Sequence, residues 1–174
     1  KISQSAKSFD RMIYYYFESK EGLYRAVMEK VYSDIRHREA DLRLDKLPPE
    51  EALRKLVETQ VEYDDAHPDL FRLVSIENIN YARAVTRSPS IRSLTASAIE
   101  VLSDILKRGY AAGVFKVRID PTDLHMVISS LSAFRVSNRH TFGVIFGVDF
   151  TDPAVRRRHK KLIGDTVVRL VKGD

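Results

Sequence analysis

Apolar residues recur at helical spacing along most of this 174-residue chain. Every fourth residue after Ser19 is apolar, which marks the buried face of a long helix. These residues are Leu23, Val27, Val31 and Ile35. Ser19 can cap that helix, because its side-chain oxygen can accept a free backbone N–H. No stretch alternates between apolar and polar residues as a half-buried strand would, so the pattern predicts an all-α fold.

Prolines that can stand in the first turn of a helix mark the later helix starts. They are Pro49, Pro68, Pro89, Pro121 and Pro153. The helix from Pro49 is predicted to stop at His67, and the one from Pro89 at Gly113, where glycine tolerates a left-handed backbone. The helix that Asp120 caps is predicted to run without a break to about Gly147.

Composition narrows the class of protein. The chain is 44% hydrophobic, yet no window approaches the ~20 consecutive apolar residues that span a bilayer, so no membrane partner is expected. It contains no cysteine, which excludes disulfides and thiolate metal sites and fits a cytoplasmic location. The net charge of +5 permits a polyanionic partner. Because the sequence begins at Lys1, which is not a methionine, we expect that upstream residues are missing from it.

Two short helices joined by a tight turn are predicted for the first 17 residues. Ile2 and Ala6 lie four apart on the first helix, Lys7–Phe9 forms the turn, and Asp10–Tyr16 forms the second helix. Such a pair is a helix-turn-helix, whose second helix enters the major groove of DNA.

Three consecutive tyrosines close the second short helix. Successive helical residues point about 100° apart, so the three rings cannot all face inward. We expect Ile13, Tyr16 and Phe17 to pack inward and Arg11 to lie on the open face with the other two tyrosines. Arginine can bind a guanine edge or a phosphate, and tyrosine hydroxyls suit phosphates. Taken alone, these residues leave core packing and DNA contact as open alternatives.

The run R-M-I-Y-Y-Y-F at Arg11–Phe17, followed by S-K-E-G-L at Ser19–Leu23, resembles the end of the DNA-binding domain in the TetR family of bacterial transcriptional regulators. Ala6 matches the end of the preceding helix. Gly113–Pro121 resembles the link between two later helices of the family, and His67–Leu73 is similar to members related to the regulators of pyrimidine utilisation. The turn departs from the family's usual Gly-Val-Ser.

This resemblance implies an organisation and a function. Residues 1–18 would be the C-terminal part of a helix-turn-helix domain whose first helix is absent from the sequence, and residues 19–174 a ligand-binding and dimerisation domain. The chain would be a ligand-responsive transcriptional regulator, most simply a repressor, that binds a double-stranded operator as a homodimer. Its effector would be an unidentified small molecule. No catalytic residue, cofactor or metal is implied.

Site residues follow from the same resemblance. DNA contacts would come from Lys7, Ser8, Asp10, Arg11, Met12, Tyr14, Tyr15 and Lys20. Tyr15 and Lys20 match phosphate-contacting positions, whereas the acidic Asp10 would cap its helix or accept from a cytosine amine. The effector would contact Tyr63, Phe71, Val74, Asn78, Phe134 and Asn138. The dimer interface would include Val127, Leu131, Phe142, Leu162, Val167 and Leu170.

Other constellations are explained without a site. The histidines lack metal-ligand spacing, and the pairs Asp64–Asp65 and Asp149 with Asp152 lie near helix ends, where solvation and capping suffice. The basic run Arg156–Lys161 is interpreted as a solvated face. Two alternatives remain beside the regulator. One is a helical small-molecule carrier or enzyme without DNA binding, and the other is a bundle that binds an acidic protein, but neither needs an exposed Arg/Tyr/Lys group beside a helix junction.

Overall fold

The computed structural model describes residues 2–174 and confirms an all-α architecture for them. The helices are α1 (Ile2–Ser5), α2 (Asp10–Phe17), α3 (Lys20–Asp41), α4 (Pro49–Ala66), α5 (Pro68–Ile79), α6 (Arg83–Thr86), α7 (Pro89–Ala111), α8 (Pro121–Ser137), α9 (Arg139–Phe146) and α10 (Pro153–Lys172). A single 3-10 turn, Leu44–Lys46, links α3 to α4. No helix in this part of the chain is both long enough and apolar enough to cross a bilayer.

The helix starts follow the capping residues of the sequence. Ser19 Oγ accepts the backbone N–H of Gly22 at 2.9 Å, and the carboxylates of Asp120 and Asp152 each accept a first-turn N–H at 2.7 Å. Each cap satisfies a donor that the helix itself leaves without a partner. The predicted starts at these positions are therefore confirmed.

The main core lies between α4, α7, α8 and α10. Val57, Ile105, Leu124 and Val167, one from each helix, are completely buried there. A smaller cluster around Ile35 joins α3 to α4 and α5. Helix α3 lies along one side of the bundle. The short helices α1 and α2 lie at its N-terminal end.

The link after α7 is held by a close contact between Gly109 and Phe115. Phe115 is buried, and a Cβ added to Gly109 would lie 1.9 Å from a carbon of its ring. The Gly109 carbonyl also accepts the backbone N–H groups of Val114 and Phe115. Gly113 takes a left-handed backbone, with φ of 69°, as its predicted role in ending α7 requires.

The predicted unbroken helix from Asp120 to Gly147 is wrong. It divides into α8 and α9 at Asn138, whose backbone leaves the helical region with ψ near 4°. Short polar side chains bond locally at this point: Ser137 Oγ donates to Ala133 O, and the Asn138 amide donates to Ser137 Oγ. Such bonds compete with regular helix, which explains the break.

Candidate nucleic-acid interface and effector-binding helices

The two short N-terminal helices meet the long helix α3 at a contact that requires glycine. A Cβ added to Gly22 would lie 2.0 Å from the carbonyl oxygen of Phe17, the last residue of α2. Between the two helices, Glu18 has a φ of 62° and donates its N–H to Tyr14 O at 2.9 Å. The end of α2 is therefore pressed directly onto the first turn of α3.

The turn between α1 and α2 includes a residue with a left-handed backbone. Lys7 has a φ of 49° here, and lysine adopts this conformation less readily than glycine. Phe9 occupies the N-cap position of α2 without a side-chain cap and is exposed. Asp10 is the first helical residue, so its predicted role as the cap is wrong. Its charge lies instead in the first turn, where the helix dipole favours an anion.

All three tyrosines of α2 face solvent. Tyr14, Tyr15 and Tyr16 keep 60%, 75% and 68% of their surface exposed, whereas Ile13 and Phe17 are half-buried. The expectation that Tyr16 is a core residue is therefore wrong among the described residues. Ile13 and Phe17, four apart, occupy the inward side of this short helix, and the Tyr16 ring packs edge-on against Tyr15 instead, with centroids 5.2 Å apart.

The remaining side chains predicted to contact DNA also lie at the surface. Lys7, Arg11, Met12 and Lys20 are exposed, and Ser8 is half-buried. Together with the tyrosines they give α2 and the start of α3 a surface of cations, hydroxyls and aromatic rings. Such groups bind phosphates and base edges, and the surface is chemically suited to a nucleic acid.

The residues predicted to bind an effector do not line one cavity. Tyr63 is buried and stacks on His67 with centroids 4.0 Å apart, and Phe71 and Val74 are half-buried. Asn78 is exposed, and its amide donates to Val74 O at 2.8 Å, as an exposed helical asparagine can.

Two further predicted effector contacts lie near the α8–α9 break. Phe134 is 49% exposed and packs edge-on against Phe142, and Asn138 belongs to the break itself. Asn78 and Phe134 both stand on outward sides of their helices, and their contact with an effector stays a prediction. A groove of about 420 Å³ between α5 and the α8–α9 break includes Phe71 in its wall.

Asp64 carries a buried carboxyl group, so the prediction that this group is solvated is wrong. It is 1% exposed, accepts from Gln60 Nε2 at 2.7 Å, and accepts a hydrogen bond from the Ser132 hydroxyl of α8. Burial raises the pKa of Asp64 to about 6, although both hydrogen bonds favour its charged form. The signal was present: Val57, Val61 and Asp64 share one helix face at i, i+4 and i+7.

Arg135 joins three helices next to Asp64. Its Nη1 lies 2.9 Å from Asp65 Oδ1 of α4, and its Nε donates to His159 Nδ1 of α10 at 3.2 Å. Burial, followed by the nearby charge of Arg135, lowers the pKa of His159 and so favours the neutral ring that can accept this bond. The polar residues therefore hold α4, α8 and α10 together.

Residues predicted to form the dimer interface divide between the core and the surface. Leu162 is 60% exposed and Leu170 is also exposed, while Val127, Leu131 and Phe142 are half-buried. Val167 has no exposed surface, so its assignment to the interface is wrong. It lies on the side of α10 that packs against α4, and no partner can reach it.

An apolar surface remains uncovered around α9. Exposed large apolar side chains here are Phe134 of α8 and Val144, Ile145 and Phe146 of α9. The ring of Phe142 contacts those of Phe134, Phe146 and Phe150, with centroids between 4.4 and 5.8 Å apart. We name these four exposed residues the α9 patch. Large apolar patches of this kind mark interaction surfaces.

Most of the basic run at the start of α10 is solvated, as predicted, whereas His159 and Lys160 are half-buried and contact Arg135 and Glu62. Arg156, Arg157, Arg158 and Lys161 are exposed, and Lys161 pairs with Asp165 four residues later. Asp149 and Asp152 accept local N–H groups at the loop before α10, which agrees with their capping interpretation. Among residues 2–174, no three metal-binding side chains gather into a potential metal site.

Comparison with known proteins agrees with this arrangement. A family model described as the tetracyclin repressor-like C-terminal domain matches residues 49–167. The chain is 39% identical over 168 residues to the HTH-type transcriptional repressor NicS of Pseudomonas putida, a match that covers 97% of this chain and 79% of that protein.

A solved structure shows the same fold. It belongs to a bacterial regulatory protein in the TetR family from Rhodococcus RHA1, with a TM-score of 0.71 and 17% identity, and it covers 98% of this chain and 83% of that one. The family model and the sequence identity to a repressor identify a transcriptional regulator and not an enzyme. The chain belongs to the TetR family of transcriptional regulators.

Proposed function

We propose that this protein is a repressor that binds a two-fold DNA operator as a homodimer and is released by a small molecule. The observation that carries the proposal is the exposed group of Arg11, Tyr14, Tyr15 and Lys20 beside the α2–α3 junction. All four side chains are exposed, and phosphates and base edges are partners that suit their charges and hydroxyl groups. Two copies of α2 would enter successive major grooves, about 34–36 Å apart.

The domain organisation follows from the same proposal. Residues 1–18 belong to the DNA-binding domain, and residues 19–174 form the ligand-binding and dimerisation domain, in the cytoplasm. The effector binds among the helices between α3 and α8, near Tyr63, Phe71 and Val74. Binding favours a dimer in which the two α2 helices no longer match the grooves of the operator.

DNA binding is tested by three substitutions in this group. We expect Arg11→Ala, Tyr15→Phe and Lys20→Ala each to weaken binding of the full-length protein to its own upstream DNA by about tenfold, since one charge-assisted contact contributes ~1.5–3 kcal/mol. Loss of a phosphate contact by Lys20→Ala should also reduce the salt slope of log affinity by about 1. Fluorescence anisotropy at two salt concentrations measures both quantities.

Lys107→Ala provides the matched control. Lys107 is an exposed cation on α7, remote in sequence from the proposed interface, so its loss should leave affinity and salt slope near the wild-type values. If all three interface variants bind as tightly as the Lys107→Ala protein, α2 does not contact DNA.

Dimerisation is tested at Leu162, an exposed apolar residue of α10 that was predicted for the dimer interface. We expect the wild-type protein to sediment as a dimer at micromolar concentration and Leu162→Glu to sediment as a monomer, because a dimer would bury the new carboxylate in an apolar contact. Ile79→Glu is the control, since Ile79 is also exposed, at 74% against 60% for Leu162, but lies at the end of α5. A wild-type monomer, or a dimer that persists in Leu162→Glu, contradicts the assignment.

A further inference from the structure

The position of α2 depends on α3. Among the described helices, α2 makes extensive contact with α3 alone, through the close Gly22–Phe17 approach. Farther along, α3 packs mainly against α7 and also against the short helix α6. Whatever holds α6 in place therefore helps to determine where α2 lies.

Glu77 of α5 holds α6. It is a buried carboxylate, and its Oε1 accepts the backbone N–H groups of Ala84 and Val85 at 2.6 and 3.1 Å. The N-cap position of α6 is Ala82, whose side chain has no acceptor. Glu77 thus supplies from a neighbouring helix the cap that α6 lacks.

The turn that this cap closes is strained. Tyr81 and Ala82 both have left-handed backbones, with φ of 57° and 56°. Two consecutive non-glycine residues in this region are uncommon, and such a turn persists only when its surroundings hold it. The backbone N–H groups of Tyr81 and Ala82 donate to Asn78 O and Glu77 O, and the two hydrogen bonds to the Glu77 side chain tie the far side of the turn to α5.

Two tyrosines of α3 lie close to the same carboxylate. Burial, followed by the interaction with Glu77, raises the pKa of Tyr24 and of Tyr32. The Tyr24 hydroxyl also donates to Leu73 O of α5 at 3.3 Å. Glu77 therefore lies where α3, α5 and α6 meet.

We propose that Glu77 is a positioning residue for DNA binding: by capping α6 across a strained turn, it holds part of the surface against which α3 packs and so helps to set the position of α2. The proposal rests on the proposed DNA-binding function for its consequence, but its structural part stands on contacts within one chain. Glu77 touches no DNA-facing residue of α2 and acts through α3.

The test measures the position of α2 and the affinity for DNA separately. Nitroxide labels are attached to Tyr16→Cys on α2 and Lys107→Cys on α7, in a chain with no other cysteine, and the labelled protein is diluted into unlabelled protein so that pairs within one chain dominate. Double electron–electron resonance spectroscopy then gives the distribution of distances between the two labels. Anisotropy with the unlabelled variants gives the affinity for the upstream DNA.

We expect Glu77→Ala to broaden the distance distribution or shift it by about 1–2 Å, the size of helix shifts in switching proteins. Affinity should fall about tenfold or more, because a binding surface must hold its groups within ~0.5 Å of their productive positions. Glu77→Gln keeps an acceptor oxygen for the two N–H groups and should restore both readouts. Circular dichroism confirms that each variant is folded at the temperature used.

Two outcomes overturn the proposal. One is a folded Glu77→Ala protein with a wild-type distance distribution, even if its thermal stability is lower, since this would leave Glu77 only a structural role. The other is a Glu77→Gln protein that behaves like Glu77→Ala. Failure of the proposed function is a different result: the wild-type protein would not bind the DNA, while the distance measurement would still report on Glu77.

Discussion

Gly109→Ala is expected to lower the free energy of unfolding by about 3 kcal/mol, at the upper end of the range for overpacked cores. The new Cβ would lie 1.9 Å from the ring of Phe115. The Phe115 ring is buried in the core, and the backbone N–H of Phe115 donates to the Gly109 carbonyl. The ring therefore cannot move away from α7 without losing both its burial and this hydrogen bond. Denaturant unfolding followed by circular dichroism measures the change.

Gly164→Ala is the matched control, because it adds the same methyl group to another buried helical glycine. The nearest atom to its Cβ would be Arg54 Nη1 at 3.3 Å, the far end of a flexible side chain. Alanine is favoured over glycine within helices by about 1 kcal/mol, so this variant should be as stable as the wild type or slightly more stable. Equal effects at the two positions would mean that the Phe115 contact is not tight.

Asp64→Asn is expected to stabilise the protein at pH 7 by about 1–3 kcal/mol. Burial raises the pKa of Asp64 from 3.8 to about 6, which means that folding disfavours its charged form. The ionised carboxyl therefore lowers stability above pH 6, and this penalty disappears as the pH falls from 6 towards 4. Asparagine carries no charge; its Oδ1 can accept from Gln60 Nε2, and its amide nitrogen can donate to Ser132 Oγ.

The pH dependence separates this explanation from a packing effect. The stability difference between Asp64→Asn and the wild type should be largest at pH 7 and close to zero near pH 4, where aspartic acid is itself neutral. Unfolding in urea at several pH values measures it. A constant difference across this range would contradict a charge effect.

The neighbouring residue supplies a control of opposite sign. Asp65→Asn removes the charge that pairs with Arg135, whose side chain is 6% exposed, and leaves a buried guanidinium without its counter-charge. We expect a loss of about 3 kcal/mol. Two adjacent aspartates should thus respond oppositely to the same substitution.

Local signals explain why most helix starts could be predicted from the sequence. Ser19, Asp120 and Asp152 bond to N–H groups two or three residues away, so the sequence contains both partners of each contact. The apolar periodicity continues across Asn138, so periodicity alone predicts a regular helix there and gives no sign of the break.

Contacts between distant segments explain the errors at the sites. Glu77 caps α6 from another helix, and no spacing rule indicates such a partner. On α10, apolar residues face two ways, and periodicity does not say which side a neighbour covers. Val167 and Leu162 therefore looked equivalent in the sequence, although one is buried against α4 and the other is exposed.

Because α3 is long, a small tilt of this helix produces a large displacement at its end. Its 22 residues span about 33 Å at 1.5 Å per residue. With α2 fixed to one end by the Gly22 contact, a 5° tilt of α3 about its other end would displace α2 by roughly 3 Å. In a two-fold dimer both copies of α2 would move. Rotations too small to disturb the packing of the core would then be large on the scale of a DNA groove.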